Sequence, residues 1–553
     1  MNDTITIRFT DGTESVFPKG TSLLTIAAER QKEYATPIVV ARVNNMLTNI
    51  QERLEVDAEV DFFDLTTGHG VKVYERSLSF VLIVAAHRLF PGKKIVIEHS
   101  LGDGVYCELL QGHPLTAADV KALENEMQEI VSEDLPIHRR TLPLSEAVRE
   151  FESGGYVEKA HLLRQLERAT VSIYSCDGIL DYLYGPMVPR TGCLRHLELR
   201  FYAPGFILRF PKKEDPERIP EFVDRPKLAQ IFLEAERWGE LLGCASVSQL
   251  NEAIADGSFA DTLRVAEALH EKKVAAIADL AADQRQATKL ILIAGPSSSG
   301  KTTFVQRLGV QLRVHGIRPV DISLDDYFLD RDSTPRDETG NLDFESIDAL
   351  DLPLFNQHLV ELLAGNVVEP PRYNFKTGMR EPSGRKLILG ADQILIVEGI
   401  HGLNPRLTSA VPREQKLLIY VSALTQLSID NHNRIPTTDT RLLRRIVRDN
   451  QFRSHDALQT LKLWPSVRKG EEINIFPYQE EAEVMFNSAL IYEMSILRRH
   501  AEPLLEKIST DQAEYLEARR LLGFLRHFRM APEDQVPLTS ILREFIGKSS
   551  FAK

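Results

Sequence analysis

Four cysteines in 553 residues, at 107, 176, 193 and 244 and with no CxxC pair, exclude a disulfide framework and a zinc ribbon and fit a reducing compartment. Long apolar runs are missing as well: none reaches the ~18 residues that a bilayer span needs. There is no internal repeat and no low-complexity tract. Positive charge is in deficit, with 66 Lys and Arg against 79 Asp and Glu and a formal net charge of -13. That balance argues against a general nucleic-acid coat, which needs clustered cations, and leaves room for one local basic site. The opening MNDTITIRFTDGTE is polar and alternating instead of basic then apolar, so no secretory leader and a cytoplasmic location are expected. What is present is an ordinary globular composition, 43% hydrophobic and 26% charged. The chain is too long for one core, so several domains are expected.

Residues 1–67 read as a small β-rich unit. Thr4-Ile5-Thr6-Ile7-Arg8-Phe9 alternates with period two, Asp11-Gly12 supplies a hairpin turn, and Ser22 caps a short helix from Leu23. Strands are expected at 37–43 and 59–63, which makes a β-grasp arrangement. Residues 68–225 form an α+β segment with amphipathic helices at 78–90 and 117–132 and short strands near 95, 105, 197 and 206. A helical connector follows over 226–287. From 288 to 500 buried β-runs alternate with helices, which implies a doubly wound parallel sheet of α/β class. Residues 501–553 are a C-terminal helical segment, whose Arg519-Arg520 and 526–529 basic patch reads as a solvated helix face.

Gly295-Pro296-Ser297-Ser298-Ser299-Gly300-Lys301-Thr302 matches G-x-x-x-x-G-K-[ST] in full, with Thr303 next. The strand Leu290–Ala294 enters the motif and a helix leaves it, as the motif requires. Its backbone N–H groups and the helix N-terminus attract phosphate oxygens. In such a loop Lys301 reaches the β- and γ-phosphates and the Thr302 hydroxyl ligates Mg²⁺, so ATP and Mg²⁺ are the expected co-substrate and ion. A GTPase reading lacks its guanine-reading Asn/Thr-Lys-x-Asp element. Asp337-Glu-Thr-Gly340 does spell DxxG, but in a polar stretch rather than at a strand end.

A second strand, Val320–Leu324, ends in Asp325-Asp326, one of which should face the site as an acceptor of the attacking hydroxyl's proton. A third, Gln393–Val397, ends in Glu398, which is placed to approach the metal. Arg441, Arg445 and Arg448 share one helical stripe. That stripe is equally a solvated face or a lid over transferred phosphoryl charge.

These pieces resemble the uridine kinase family, within the uridine kinase/phosphoribulokinase group of P-loop kinases, from about Lys289 to Leu497. The carrying residues are Gly295–Thr303, Ile322–Phe328, Leu342–Asp351, Pro371–Phe375, Val397–Ile400 and Asp439–Asp449. The resemblance implies a nucleoside kinase with Asp325 as general base on the 5′-hydroxyl. It further implies Thr302 and Glu398 on the metal side, Lys301 as phosphate clamp, and Arg445, Arg448 and Arg453 over the phosphates. Phe344, Tyr373, Phe375 and Ile400 fall where the family lines its nucleoside pocket. Two positions depart from the pattern: the family's base-reading His is Gly378, and its ribose-binding Asp is Glu345. The first weakens transfer of pyrimidine specificity, because a missing buried donor removes base discrimination.

The N-terminal half resembles threonyl-tRNA synthetase: residues 1–67 its TGS domain, and residues 68–212 its editing-type domain. The positions matching the editing His and Cys residues are Arg76, Phe80, Leu183 and Met187, so neither editing nor a metal is expected there. RNA binding through this half, a regulatory duty and self-association are all compatible with the sequence. So are two other activities: an RNA-associated or regulatory ATPase, and a kinase for a non-nucleoside acceptor such as a sugar phosphate or a pantothenate-like compound.

Overall fold

The computed structural model describes residues 3–551 except 111–113, 337, 339, 341, 375 and 426. Near the N-terminus a five-stranded sheet runs in the order Glu14–Pro18, Thr4–Phe9, Ala58–Phe63, Val40–Val43, Met46–Thr48. Thr4–Phe9 pairs antiparallel with Glu14–Pro18 across the Asp11-Gly12 turn and parallel with Ala58–Phe63. The Ser22 hydroxyl accepts the Thr25 N–H at 3.1 Å and caps Leu23–Arg30, whose Leu23, Ile26 and Ala27 turn inward. This is the β-grasp pattern.

The next helix is longer than the periodicity predicts. It spans Gly68–Leu89 and begins ten residues before the expected start, because Thr67 caps it by accepting from Gly70 N at 3.0 Å. Its apolar residues pack it against the sheet of Lys94–Leu101, Gly104–Leu110, Gly205–Arg209 and Glu198–Tyr202. Thr116 and Asp119 form a capping box that starts Ala117–Glu133.

The C-terminal half is built on a second five-stranded sheet, ordered Arg318–Ser323, Gln393–Glu398, Leu290–Ala294, Lys416–Ser422, Val484–Asn487, with every neighbouring pair parallel. Alternation within its strands sorts side chains between two cores. Ile291, Ile293, Ile394, Ile396, Leu417 and Ile419 face one core, and Leu290, Leu292, Leu395, Val397 and Leu418 the other. Burying such a side chain contributes about 1.5–3 kcal/mol, so a strand of five buried positions such as Leu290–Ala294 is strongly held. The fold is mixed α/β with a parallel sheet.

Helix Lys301–Val314 covers the first face and Leu352–Leu363 the second. The helices of 226–287 also lie against this sheet, with Phe232 in one core and Leu263, Val274 and Ile277 in the other. At the far end, helix Glu493–Leu505 runs across residue 500, and Leu521, Leu525, Ile541, Leu542 and Phe545 join the first core. No helix among the described residues is long and apolar enough to cross a membrane.

Candidate active site

The strand Leu290–Ala294 lies at the middle of the parallel sheet, where the chain crosses first to one side and then to the other. Ligands bind at such a switch point, outside the carboxyl ends of the strands. Three strands deliver the site there. Leu290–Ala294 leads into residues 295–300, Gln393–Glu398 ends on Glu398 beside it, and Arg318–Ser323 leads into a short turn that carries Asp325. Glu398 is in register with Ile293 on one neighbour and Ser323 on the other.

The loop has the conformation a phosphate needs. Gly300 has φ +82° and opens helix Lys301–Val314. The Lys301 ammonium donates to the loop's own carbonyls, Gly295 O at 2.8 Å and Pro296 O at 3.2 Å. Burial pushes it below the usual lysine range, opposed by Glu398, Glu544 and Asp325. Among the described residues, the buried hydroxyls of Ser298 and Ser299 find no hydrogen-bond partner. Thr302 Oγ1 donates to Glu398 Oε1 at 3.3 Å, so the hydroxyl and carboxylate expected at a metal stand together. Burial pushes Glu398 up to about 7, with Lys301 opposing. Orphaned hydroxyls, a lysine held only by carbonyls and a Thr–Glu pair suit a magnesium-bound triphosphate.

Asp325 and Asp326 diverge as expected for adjacent acids. Asp326 Oδ1 accepts from Tyr373 N at 3.4 Å, while Asp325 sits in the field of Lys301 and Arg453. Burial raises the Asp325 carboxyl, and those two cations pull it down.

The arginine stripe resolves into separate roles. Arg441 is withdrawn from solvent and forms a two-pronged ion pair with Glu471 at 2.5 and 2.8 Å, so it is not a lid residue. The same Glu471 accepts from Ser297 N at 2.9 Å and thereby steadies the loop. Arg445 reaches Ser297 Oγ at 2.7 Å. Arg445, Arg448 and Arg453 gather round the fully buried Asp449 at 3.1, 3.0 and 3.7 Å. Three guanidiniums share one carboxylate, which leaves net positive charge beside the loop. Burial lowers the Arg445 and Arg453 guanidiniums from their usual range, and Arg448 adds to both shifts.

On the acceptor side, Phe328 packs edge-on against Phe344 at 5.7 Å and against Tyr373 at 5.6 Å between centroids. Ile400 is half-buried in the same apolar cluster. Phe375 lies outside the described residues. Glu345 abuts Gly470, and burial next to Glu471 pushes its carboxyl up to about 7. Gly378 has φ +74°, and the space its side chain would enter is taken by Arg331, whose Nε lies 2.5 Å from the Cβ position.

Sequence motifs did not point to Glu471, Asp449's gathering role, Ser488 or Glu544. Ser488 Oγ donates to Ser299 O at 2.5 Å, and Glu544 Oε2 accepts from Thr303 N at 3.0 Å. Glu544 lies 241 residues from Thr303 along the chain. No local pattern could have paired them. The C-terminal basic patch is also not a simple solvated face: Arg520 is clamped by Asp439 at 2.6 and 2.7 Å and by Glu517, and His527 is buried.

Comparison with known proteins bears on this half directly. Residues 290–491 match the Phosphoribulokinase / Uridine kinase family. The matched segment runs from the phosphate-loop strand past the last strand of the parallel sheet, and it is a P-loop kinase segment. Among solved structures, a protein from Bacillus stearothermophilus titled "Structure of a Possible Uridine Kinase" aligns at 19% identity and TM-score 0.25, covering 38% of this chain and 97% of that one. D-glycerate 3-kinase from Cryptococcus neoformans var. grubii serotype A aligns at 15% identity and TM-score 0.23, covering 48% and 89%. The N-terminal half is similar to threonine–tRNA ligases. The ligase of Methylococcus capsulatus is 32% identical over 233 residues, 41% of this chain. The chain spans 36% of that ligase's length. At the four positions that the sequence resemblance sets against editing-type ligands, Phe80 and Met187 are fully buried, Leu183 is buried, and Arg76 donates to Pro186 O at 2.8 Å.

Proposed function

We propose that the kinase segment transfers the terminal phosphoryl group of ATP to the hydroxyl of a small acceptor, with the 5′-hydroxyl of a nucleoside as the first candidate. The observation that carries this reading is the meeting of Lys301, Glu398 and Asp325 at the ends of three adjacent parallel strands, each within the others' electrostatic reach.

Lys301 would leave its two loop carbonyls and reach the β- and γ-phosphate oxygens, while the Ser298 and Ser299 hydroxyls find acceptors there. Thr302 and Glu398 would hold Mg²⁺, which when bound neutralises charge on those oxygens. Asp325 takes the proton from the acceptor's hydroxyl as it attacks, and Arg445 and Arg448 stand over the transferred group to stabilise its charge. Burial raises the Asp325 carboxyl, which favours its accepting a proton, and Lys301 and Arg453 oppose that rise. Phe344 and Tyr373 frame the acceptor pocket, and aromatic rings favour a flat base, with stacking worth about 1–3 kcal/mol per base.

A second acceptor class, a non-nucleoside hydroxyl compound bearing an acidic group, is favoured by Arg331 at the place of the missing side chain of Gly378. A guanidinium there suits a carboxylate or phosphate better than a neutral base edge. Incubating the full chain with ATP and Mg²⁺ and separate panels of nucleosides and of hydroxy acids or sugar phosphates, then reading products by mass, tests both. Release of free phosphate with no phosphorylated acceptor in either panel would replace the kinase reading with an ATPase.

A further inference from the structure

A cleft of about 1550 Å³ lies away from the phosphate loop: none of Gly295–Thr303, Asp325 or Glu398 lines it. Its walls come from helix Gly68–Leu89, the turn at 183–186, helix Tyr515–Leu525 and the start of helix Thr437–Phe452. Eleven Lys and Arg line it against eight Asp and Glu, in a chain whose formal net charge is -13. The excess is therefore local and opposite in sign to the whole protein.

Most of those cations are matched. Arg520 is held by Asp439 and Glu517, and Arg434 by Glu75 at 2.6 Å, so these three carboxylates are already engaged. Lys72 and Arg76 are different. They stand one turn apart on the same face of helix Gly68–Leu89. Among the described residues neither forms an ion pair. Lys72 has no hydrogen-bond partner, and the Arg76 guanidinium has one acceptor, Pro186 O. The positive end of the helix macrodipole adds to the same field, since Gly68 and His69 also line the cleft.

The like charges are felt mutually. Arg520 is the largest cause pushing the exposed Lys72 below the usual lysine range, with Arg76 contributing and Glu517 and Asp439 opposing. Burial lowers the Arg76 guanidinium and, with Lys72 adding, also the His69 ring. Lys72 is exposed and Arg76 half-buried at the cleft wall, so both present cationic donors to the cleft beside a third cation, Arg520. An anion with several acceptor oxygens can engage the open donors of both side chains.

We propose that the Lys72–Arg76 end of this cleft is a binding site for the phosphate group of a small phosphorylated metabolite, separate from the nucleotide site. The whole cleft exceeds the roughly 300–1,000 Å³ of a usual small-molecule pocket, so such a ligand fills its cationic end only. Leu183, Tyr184 and Val71 line the cleft beside it and can cover the ligand's less polar part.

The test uses the full chain and inorganic pyrophosphate, with binding stoichiometry measured by equilibrium dialysis at low salt. Wild-type protein is expected to bind two per chain, Lys301→Ala to lose the phosphate-loop site, and Lys72→Glu to lose the other. Lys72→Ala, which removes a side chain without partners and should fold normally, is expected to weaken the second site about tenfold, the equivalent of about 1.4 kcal/mol. Unchanged stoichiometry and affinity in both Lys72 variants, with matching melting curves, overturns the site. A mixed-sequence single-stranded oligoribonucleotide forms the second arm. If it binds in a Lys72-dependent way while pyrophosphate shows only the Lys301-dependent site, the occupant is RNA and the small-metabolite proposal falls.

Discussion

The carboxylate of Glu544, seven residues before the last described residue, accepts the backbone N–H of Thr303 at 3.0 Å, in the first turn of the helix that follows the phosphate loop. That N–H is one of the free donors a helix N-terminus offers to an anion. The contact is firmly built: Ile541, Leu542 and Phe545 on either side are buried, and the Ile541 methyl lies 2.6 Å from where a Cβ on Gly300 would project. Glu544 also contributes to the field at Lys301 and Glu398. A bound triphosphate and this carboxylate compete for the same positive helix end.

Glu544→Gln therefore tightens nucleotide binding. Removing the charge is worth about 1 kcal/mol at a helix end, roughly a fivefold lower Kd for ATP by titration calorimetry. An unchanged or higher Kd means the carboxylate supports the nucleotide site instead of opposing it.

Asp325→Asn keeps the shape of the site and removes the proton acceptor. Turnover is expected to fall by about 10²–10⁴-fold, with ATP affinity within a few-fold of wild type. If the variant keeps full activity, Asp325 is not the base, and Asp326, turned toward Tyr373 N, becomes the residue to test.

The pH dependence follows from Glu398. Its carboxyl is pushed up to about 7 and holds a metal only when ionised, so Mg²⁺-dependent activity is complete above that value and declines as pH drops through it. Apparent Mg²⁺ affinity should weaken toward tenfold per unit below about pH 7. The Glu398→Gln variant should lose most activity and with it this acid limb. An acid limb unchanged in that variant assigns the titration to another group.

Stability rests on buried pairs as much as on apolar packing. Arg444 is fully buried and paired with the buried Glu493 at 2.6 Å, and it also donates to Ser488 O at 2.8 Å. Burial raises the Glu493 carboxyl and Arg444 holds it down. Arg444→Ala leaves an uncompensated buried carboxylate, at a cost of about 3–5 kcal/mol. A markedly lower thermal midpoint is expected for this variant, whereas Arg519→Ala, whose guanidinium overlies the Tyr515 ring and has no ion pair among the described residues, should shift it little.

The candidate site is legible in the sequence because its signals are local. A glycine loop between a buried strand and a helix has one common use, and acids at strand ends fall on the ligand side of any parallel sheet. Gly295–Thr303, Asp325 and Glu398 were found that way, and the structure brings them together. Family resemblance marks Arg445 as a candidate site residue, while its neighbour Arg441 looks identical in the sequence. Only the position of Glu471, thirty residues on and on another helix, separates a buried strut from a guanidinium that reaches the loop.

By itself, then, the sequence determined the alternation that divides each strand between two cores, the loop that can cradle phosphate, and the kind of chemistry its acids and lysine can perform. Those properties depend on neighbours within a few residues, where spacing dictates geometry. Tertiary structure alone decided which charges are matched. Glu544 at Thr303, Asp449 among three arginines, Arg331 over Gly378, and Lys72 and Arg76 without carboxylates all depend on groups far apart in the chain. Electrostatic energy depends on distance and burial in space, and neither can be read from separation along the polypeptide.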